Sequence, residues 1–175
     1  MSFFFSPMNE NNARIILNWR YEKPYEFYNL DSSHIEENIQ EFTNLQNAYY
    51  SITNGNDELV AHCCFGAEAR VSDGNYSVEA LDIGLGMNPR FTKQGLALRA
   101  INAILDFGRA KFLATFFRVT VAEFNQQALR ICEKACFKEI ERFQRKQDGK
   151  YFLVMILKLE NSRTYPKNNY STNNY

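Results

Sequence analysis

Asp82-Ile-Gly-Leu-Gly-Met-Asn-Pro-Arg-Phe-Thr-Lys-Gln-Gly-Leu-Ala97 is the stretch whose reading decides the fold. It opens as a strand: Leu81, Ile83, Leu85 and Met87 share one face, while Asp82, Gly84 and Gly86 share the other. Two glycines inside a strand mark either a bulge or a close approach of other atoms to the backbone. The strand gives way to a basic turn containing Gly95. From there a helical stripe of Leu96, Ala100, Ile101, Ile104 and Leu105 runs to about Gly108. A helix start carries unpaired amides and the positive end of the helix dipole, so this turn is a seat for a phosphate or pyrophosphate. Arg90 and Lys93 add charge beside it. No Gly-Lys-Ser/Thr is present, and Gly84-x-Gly86 lacks a third glycine, which excludes the P-loop and the dinucleotide fingerprint.

Toward the N-terminus, the apolar run Ser2–Ser6 predicts a strand stopped by Pro7. Asn9 caps a helix carrying Ala13, Ile16 and Leu17, which must end before Pro24. Trp19 to Leu30 is crowded with aromatics, and Ser33-x-x-Glu36 reads as a capping box opening a helix to about Phe42. Asn47–Thr53 and Leu59–Phe65 form a hairpin around Asn54-Gly55-Asn56-Asp57, and Tyr76–Met87 reads as one long strand. Toward the C-terminus follow a strand at Phe116–Ala122, a helix at Asn125–Ala135 and a hairpin of Phe137–Arg145 with Lys150–Leu159. This order predicts an α/β fold: one domain over residues 1–160, a mixed sheet of six to seven strands, helices on both faces. Residues 161–175, rich in Asn, Tyr and Ser, read as a mobile polar tail.

A chain of 175 residues with 45% apolar and 15% aromatic content is neither disordered nor collagen-like. Its longest aliphatic run, Leu153–Leu157, is far short of a membrane span, and Phe3-Phe4-Phe5 lacks the basic flank of a signal peptide. The expectation is a cytoplasmic protein without a membrane partner. Lys+Arg and Asp+Glu both number 20, which gives no general attraction for nucleic acid. Residues 90–150, however, hold 13 basic against 6 acidic side chains, leaving the remainder with 7 against 14. Either the basic segment attracts an anion, or solvated helix faces have segregated by sign. Cys63 and Cys64 are adjacent in a strand and point to opposite faces, so they read as buried thiols rather than zinc ligands, and no metal is expected.

The turn Thr92-Lys93-Gln94-Gly95-Leu96-Ala97, six residues after Pro89, resembles the signature of the GNAT superfamily of acetyl-CoA-dependent N-acetyltransferases. A second block, Asn125-Gln-Gln-Ala128-Leu-Arg-Ile-Cys132-Glu-Lys-Ala-Cys136-Phe137, is similar to the family's Asn-x-x-Ala segment and lies at the expected separation. The element order matches from residue 2 to about 159. Thr92 stands where Gln or Arg is usual, Cys136 replaces a glycine, and Cys132 replaces a tyrosine that protonates the departing thiolate in many members.

The resemblance implies transfer of an acetyl group from acetyl-CoA, as cosubstrate, directly to a primary amine on a small molecule or a protein N-terminus. It implies a pyrophosphate cradle at Thr92, Lys93, Gln94, Gly95, Leu96 and Ala97. Backbone groups of Leu85 and Met87 would hold pantetheine, with the Leu85 amide polarising the thioester, and Asn125 and Lys134 would complete the coenzyme contacts. The base is expected at Asp82, with Glu79 second, and Cys132 is a candidate acid. Trp19, Tyr25 and Tyr28 fall where the family shapes its acceptor pocket; the same rings also serve to pack helices on the sheet. Dimers are frequent in the family, so a homodimer is compatible with the resemblance. A non-catalytic acyl-CoA-binding module of the same fold is the alternative.

Overall fold

Alternating apolar residues separated by Asn- and Gly-rich turns produce seven strands and four α-helices over the residues that the computed structural model describes, 2–30 and 32–159. The tail expected over 161–175 lies outside the described residues. In chain order the elements are β1 (Phe4–Pro7), α1 (Glu10–Leu17), α2 (Ile35–Thr43), β2 (Tyr49–Thr53), β3 (Leu59–Phe65) and β4 (Leu81–Met87). They continue with α3 (Ala97–Phe112), β5 (Phe116–Ala122), α4 (Gln126–Lys134), β6 (Lys138–Gln144) and β7 (Tyr151–Lys158). The strands form one sheet in the order β1-β2-β3-β4-β5-β7-β6. Only β4 and β5 run parallel; every other neighbouring pair is antiparallel.

Two apolar clusters clothe the sheet. The larger joins Cys63, Phe65, Ile83 and Phe117 to Ala100, Ile104 and Leu129 of α3 and α4. The smaller joins α1 and α2 through Ile16, Leu17, Trp19, Ile39 and Phe42. Cys63 and Cys64 point to opposite faces of the sheet, as their adjacency in a strand requires: Cys63 lies in the larger core, while the Cys64 sulfur sits over its cross-strand partner Gly84. The helix pairs therefore cover both faces, the arrangement read from the element order.

Several boundaries differ from the sequence reading, beginning with β1, which includes Pro7, opposite Tyr50, instead of stopping before it. The long strand expected from Tyr76 pairs only over Leu81–Met87. Tyr76 turns inward instead: its hydroxyl accepts from the Val71 amide at 2.8 Å and lies 3.1 Å from Thr120 Oγ1. The guanidiniums of Arg70 and Arg118 stand 5.1 and 4.8 Å from its ring centre. The Ser33-x-x-Glu36 box does not open α2, which begins at Ile35 after a 3-10 turn at Ser32–His34. Glu36 is engaged elsewhere, accepting from Arg14 at 2.9 Å and so tying α2 to α1. Finally, α3 starts at Ala97 because a 3-10 turn at Pro89–Gln94 and a left-handed Gly95 (φ 68°) precede it.

Candidate functional site where two strands part

The parallel pair at the centre of the sheet is short. β4 and β5 match only Leu81 with Phe117 and Asp82 with Arg118. β3 holds the other edge of β4 from Phe65↔Ile83 to Ala61↔Met87, and β7 holds β5 along its whole length. Past Asp82 the two halves of the sheet diverge, and among the described residues Ile83–Met87 have no strand partner on the β5 side. The parity of the ladder says which groups that leaves open. The Asp82 carbonyl accepts from Gly66, and the Asn88 amide donates to Val60, so even-numbered peptide groups of β4 face β3. By alternation the odd-numbered groups, those of Leu85 and Met87 among them, face the gap.

Below the gap, the turn after β4 is built from local bonds. Asn88 Oδ1 accepts from the Arg90 amide at 3.0 Å and Thr92 Oγ1 donates to the Pro89 carbonyl at 3.0 Å. Gly95 is exposed and takes the left-handed conformation with open space where a Cβ would stand. Leu96 anchors the turn in the core at 7% exposure. Among the described residues no side chain caps the first turn of α3. An uncapped helix start behind an open left-handed glycine can seat an anion. A cavity of about 430 Å³ bounded by Met8, Phe42, Tyr49 and Lys111 lies at the other end of the strands and does not adjoin this turn.

Asp82 occupies the last paired position before the strands part, and it is 2% exposed. Its Oδ1 accepts from Arg118 Nε at 2.6 Å, and its Oδ2 accepts from Arg118 Nη2 and Arg70 Nε, both at 2.8 Å. Arg118 is wholly buried and also donates to the Val78 carbonyl at 2.7 Å. The carboxylate is thus held by two guanidiniums and shut off from solvent. This arrangement makes Asp82 a clasp across the strand junction and speaks against its expected use as a base. Glu79, the second candidate, is exposed ahead of β4.

The two strand glycines answer to close approach, not to a bulge, since the β3–β4 register runs unbroken. A Cβ at Gly84 would meet Cys64 Sγ at 2.6 Å, and one at Gly86 would overlap His62 Nε2. His62 packs among Trp19, Phe42 and Tyr49, with ring centres 5.7 to 6.4 Å away, and its Nδ1 is buried without a hydrogen-bond partner. Burial pushes this imidazole down to about 4, so it is neutral at physiological pH.

The loop between α1 and α2 lies across the mouth of the gap. Tyr21 donates its hydroxyl to the Met87 carbonyl at 2.8 Å. The loop closes on itself where the Tyr21 amide donates to Asn29 Oδ1 at 2.7 Å. Tyr28 reaches the far wall, where its hydroxyl accepts from Asn125 Nδ2 at 3.0 Å. Asn125 caps α4 by accepting from the Ala128 amide, and Phe27 packs edge-on against Phe124. Of the residues expected to line an acceptor pocket, Tyr28 stands at the gap and Tyr25 is half-buried in the same loop. Trp19 does not line it: at 9% exposure it belongs to the core over α1 and α2. Lys134 is exposed in the last turn of α4. Cys132 is 4% exposed in the main core, where burial pushes its thiol up to about 12, so it parts with a proton poorly. Sequence reading missed Tyr21 and the Asp82–Arg118–Arg70 cluster. The signal for the latter was present, because an Asp in a strand interior needs a buried cation.

Comparisons with known proteins converge on one class. The family model described as Acetyltransferase (GNAT) family matches residues 13–136. A GNAT-family acetyltransferase from Bacillus anthracis superposes with a TM-score of 0.71 at 14% identity, over 90% of this chain and 95% of that one. An aminoglycoside acetyltransferase in complex with coenzyme A gives 0.70 at 14% identity, over 90% and 95%. The dodecameric spermidine N-acetyltransferase from Vibrio cholerae gives 0.63 at 19% identity, over 89% and 93%. A comparison with curated protein sequences finds no match.

Proposed function

The chain belongs to the acetyltransferase (GNAT) family, and from that premise we propose that this enzyme moves an acetyl group from acetyl-CoA directly to a primary amine. One observation carries the reading: β4 keeps the backbone groups of Leu85 and Met87 unpaired by β5, directly ahead of an uncapped helix start. In this reading the amides from Gly95 to Ala97 grip the pyrophosphate, with Thr92, Lys93 and Gln94 in the same turn. Pantetheine lies along β4 as an added strand, its amides meeting Met87 and its thioester oxygen accepting from the Leu85 amide. For this to happen Tyr21 must release the Met87 carbonyl, which it holds at 2.8 Å. Asn125 and Lys134 complete the coenzyme side. The acceptor enters between β4 and the aromatic loop, and Tyr25 and Tyr28 form its wall. Aromatic faces and an acidic remainder of the chain favour a cationic amine with an apolar body, the class to which spermidine belongs. Because Asp82 is bound by Arg118 and Arg70, the amine's proton passes to water at the mouth, with Glu79 as the remaining carboxylate candidate.

The test is a coenzyme titration followed by an amine panel, reading free thiol. The expected outcome is stoichiometric coenzyme binding and thiol release that depends on a polyamine or a similar amine. Gly95→Asp is expected to weaken coenzyme binding at least tenfold, because the new carboxylate repels the pyrophosphate. Binding unchanged by Gly95→Asp removes the cradle from this turn. Binding without acceptor-dependent thiol release favours the non-catalytic acyl-CoA-binding module, for which the buried Cys132 and the engaged Asp82 argue.

A further inference from the structure

The ion cluster at the closed end of the gap does not balance in charge. Asp82 brings one carboxylate, while Arg118 and Arg70 bring two guanidiniums. Among the described residues no second carboxylate lies within ion-pair distance of either cation. Arg118 is fully used: Nε and Nη2 donate to Asp82, and Nη1 donates to the Val78 carbonyl. Arg70 is not. Its Nε donates to Asp82 Oδ2 at 2.8 Å, but among the described residues no acceptor takes its Nη1 or Nη2. The Arg70 side chain is 43% exposed, against 1% for Arg118, so the surplus charge sits on the guanidinium edge that meets solvent.

That edge is held in place. Asp82 fixes the Nε end and is itself locked by the buried Arg118. The Tyr76 ring packs against both guanidiniums, and its hydroxyl is tied to Val71 and Thr120. A planar fork anchored through Nε, with both Nη groups open, can take a carboxylate in two parallel hydrogen bonds, and little rotamer freedom is left to lose on binding.

The fork also lies on the face of β4 that the acceptor approaches. Asp82, Gly84 and Gly86 share the face turned to α1 and α2, where His62 and Cys64 cover the two glycines. Ala69, the residue before Arg70, packs over Gly84, where a Cβ would stand 3.6 Å from Ala69 Cβ. Arg70 therefore runs from the level of Gly84 back to Asp82, beside the point where β4 and β5 part. From Tyr76 an aromatic floor continues toward the loop between α1 and α2. A Cβ on Gly74 would touch both Tyr76 and Phe143, Phe143 stacks on Phe152, and Phe152 lies 6.4 Å from Phe27. Leu85, assigned to the thioester oxygen, is three residues beyond Asp82, about 10 Å along the strand.

We propose that Arg70 selects the acceptor, and that the acceptor carries a carboxylate gripped by its two Nη groups. The inference rests on the proposed function and narrows it. The acceptor keeps its cationic amine and apolar stem and gains an anionic end, separated from the reacting nitrogen by about 10 Å or less. An ω-amino acid or free lysine has this form.

Matched acceptor pairs in the full chain, followed by free thiol, test it: lysine against cadaverine, and the ω-amino acids from 4-aminobutyrate to 6-aminohexanoate against the alkylamines of the same stem. The best carboxylate-bearing acceptor should exceed its partner in kcat/KM by about tenfold or more, the worth of a charge-assisted, two-bond contact, with the difference in KM. Arg70→Gln should bring that ratio to within about twofold of unity. If this variant does not fold, the wild-type ratios decide, together with Arg70→Lys, which keeps a charge toward Asp82, loses the fork and should cut the ratio about threefold or more. Ratios near unity for every pair, or alkylamines preferred throughout, overturn the inference and leave the proposed function standing. So does an Arg70→Gln protein that slows both members of a pair equally, the result of a purely structural part in the ion cluster. A wild-type protein that releases no thiol with any amine overturns the proposed function and this inference together.

Discussion

Gly86 exists for His62. The imidazole turns its Nε2 edge so close to β4 that any Cβ at residue 86 would overlap it, while three aromatic rings pack around the imidazole. That enclosure has a thermodynamic consequence. His62 titrates near 4 in the folded chain and near 6.5 when unfolded, so between those values the unfolded state binds more protons. Its contribution is present above about pH 6.5 and is lost as pH falls toward 4, on the order of 3 kcal/mol in all. His62→Gln removes the titrating group, so its loss of stability between pH 7 and pH 4.5 should be smaller than that of the wild type by a large part of this amount. Urea unfolding at a series of pH values checks it. Parallel pH slopes for the two proteins would place the imidazole in contact with solvent.

Between β4 and β5 the same cross-strand pair ends the ladder and carries the buried ions, Asp82 and Arg118. Removing the charge from one partner strands the other in the core, which costs about 3–5 kcal/mol when a buried pair is broken. Asp82→Asn should therefore lower the free energy of unfolding, read from urea titration, by that amount. Replacing both residues with apolar side chains of similar volume should recover much of the loss. A base would behave differently: Asp82→Asn would then leave stability intact and remove turnover. The helical stripe of α3 and the alternation of β4 were legible because each follows a period that burial on one face imposes. The Asn9 cap and the closing hairpin were legible because a cap and a turn need particular side chains at fixed offsets. What Asp82 touches was not, since Arg118 is 36 positions away and Arg70 approaches from a loop. Tyr76 misled for a related reason: its β propensity is real, but a hydroxyl that finds Val71 and Thr120 pulls it out of the strand. The loop tyrosines likewise declare themselves only when the chain brings Met87 and Asn125 to face each other across the gap.

Over the whole molecule the charges divide where the functions divide. Residues 90–150, which hold the turn, α3, β5, α4 and β6, carry 13 basic and 6 acidic side chains, against 7 and 14 elsewhere. Under the proposed function a polyanionic coenzyme would be drawn to the first set and a cationic amine to the second, so one chain of zero net charge could favour both. Such attraction acts over the Debye length, which shrinks from roughly 14 Å at 0.05 M salt to roughly 4 Å at 0.5 M. Coenzyme A should accordingly bind about tenfold more weakly at the higher salt, and calorimetric titration at both concentrations measures this. Pantetheine, which has the same arm and no phosphates, supplies the contrast. The proposed function gives it only the peptide groups of β4 as contacts, so its affinity should change less than twofold over the same range. If both ligands weaken equally, salt is acting on the protein rather than on the charge pair. If coenzyme A holds its affinity, the basic segment is a solvated face and the uncapped start of α3 does the binding through its amides alone.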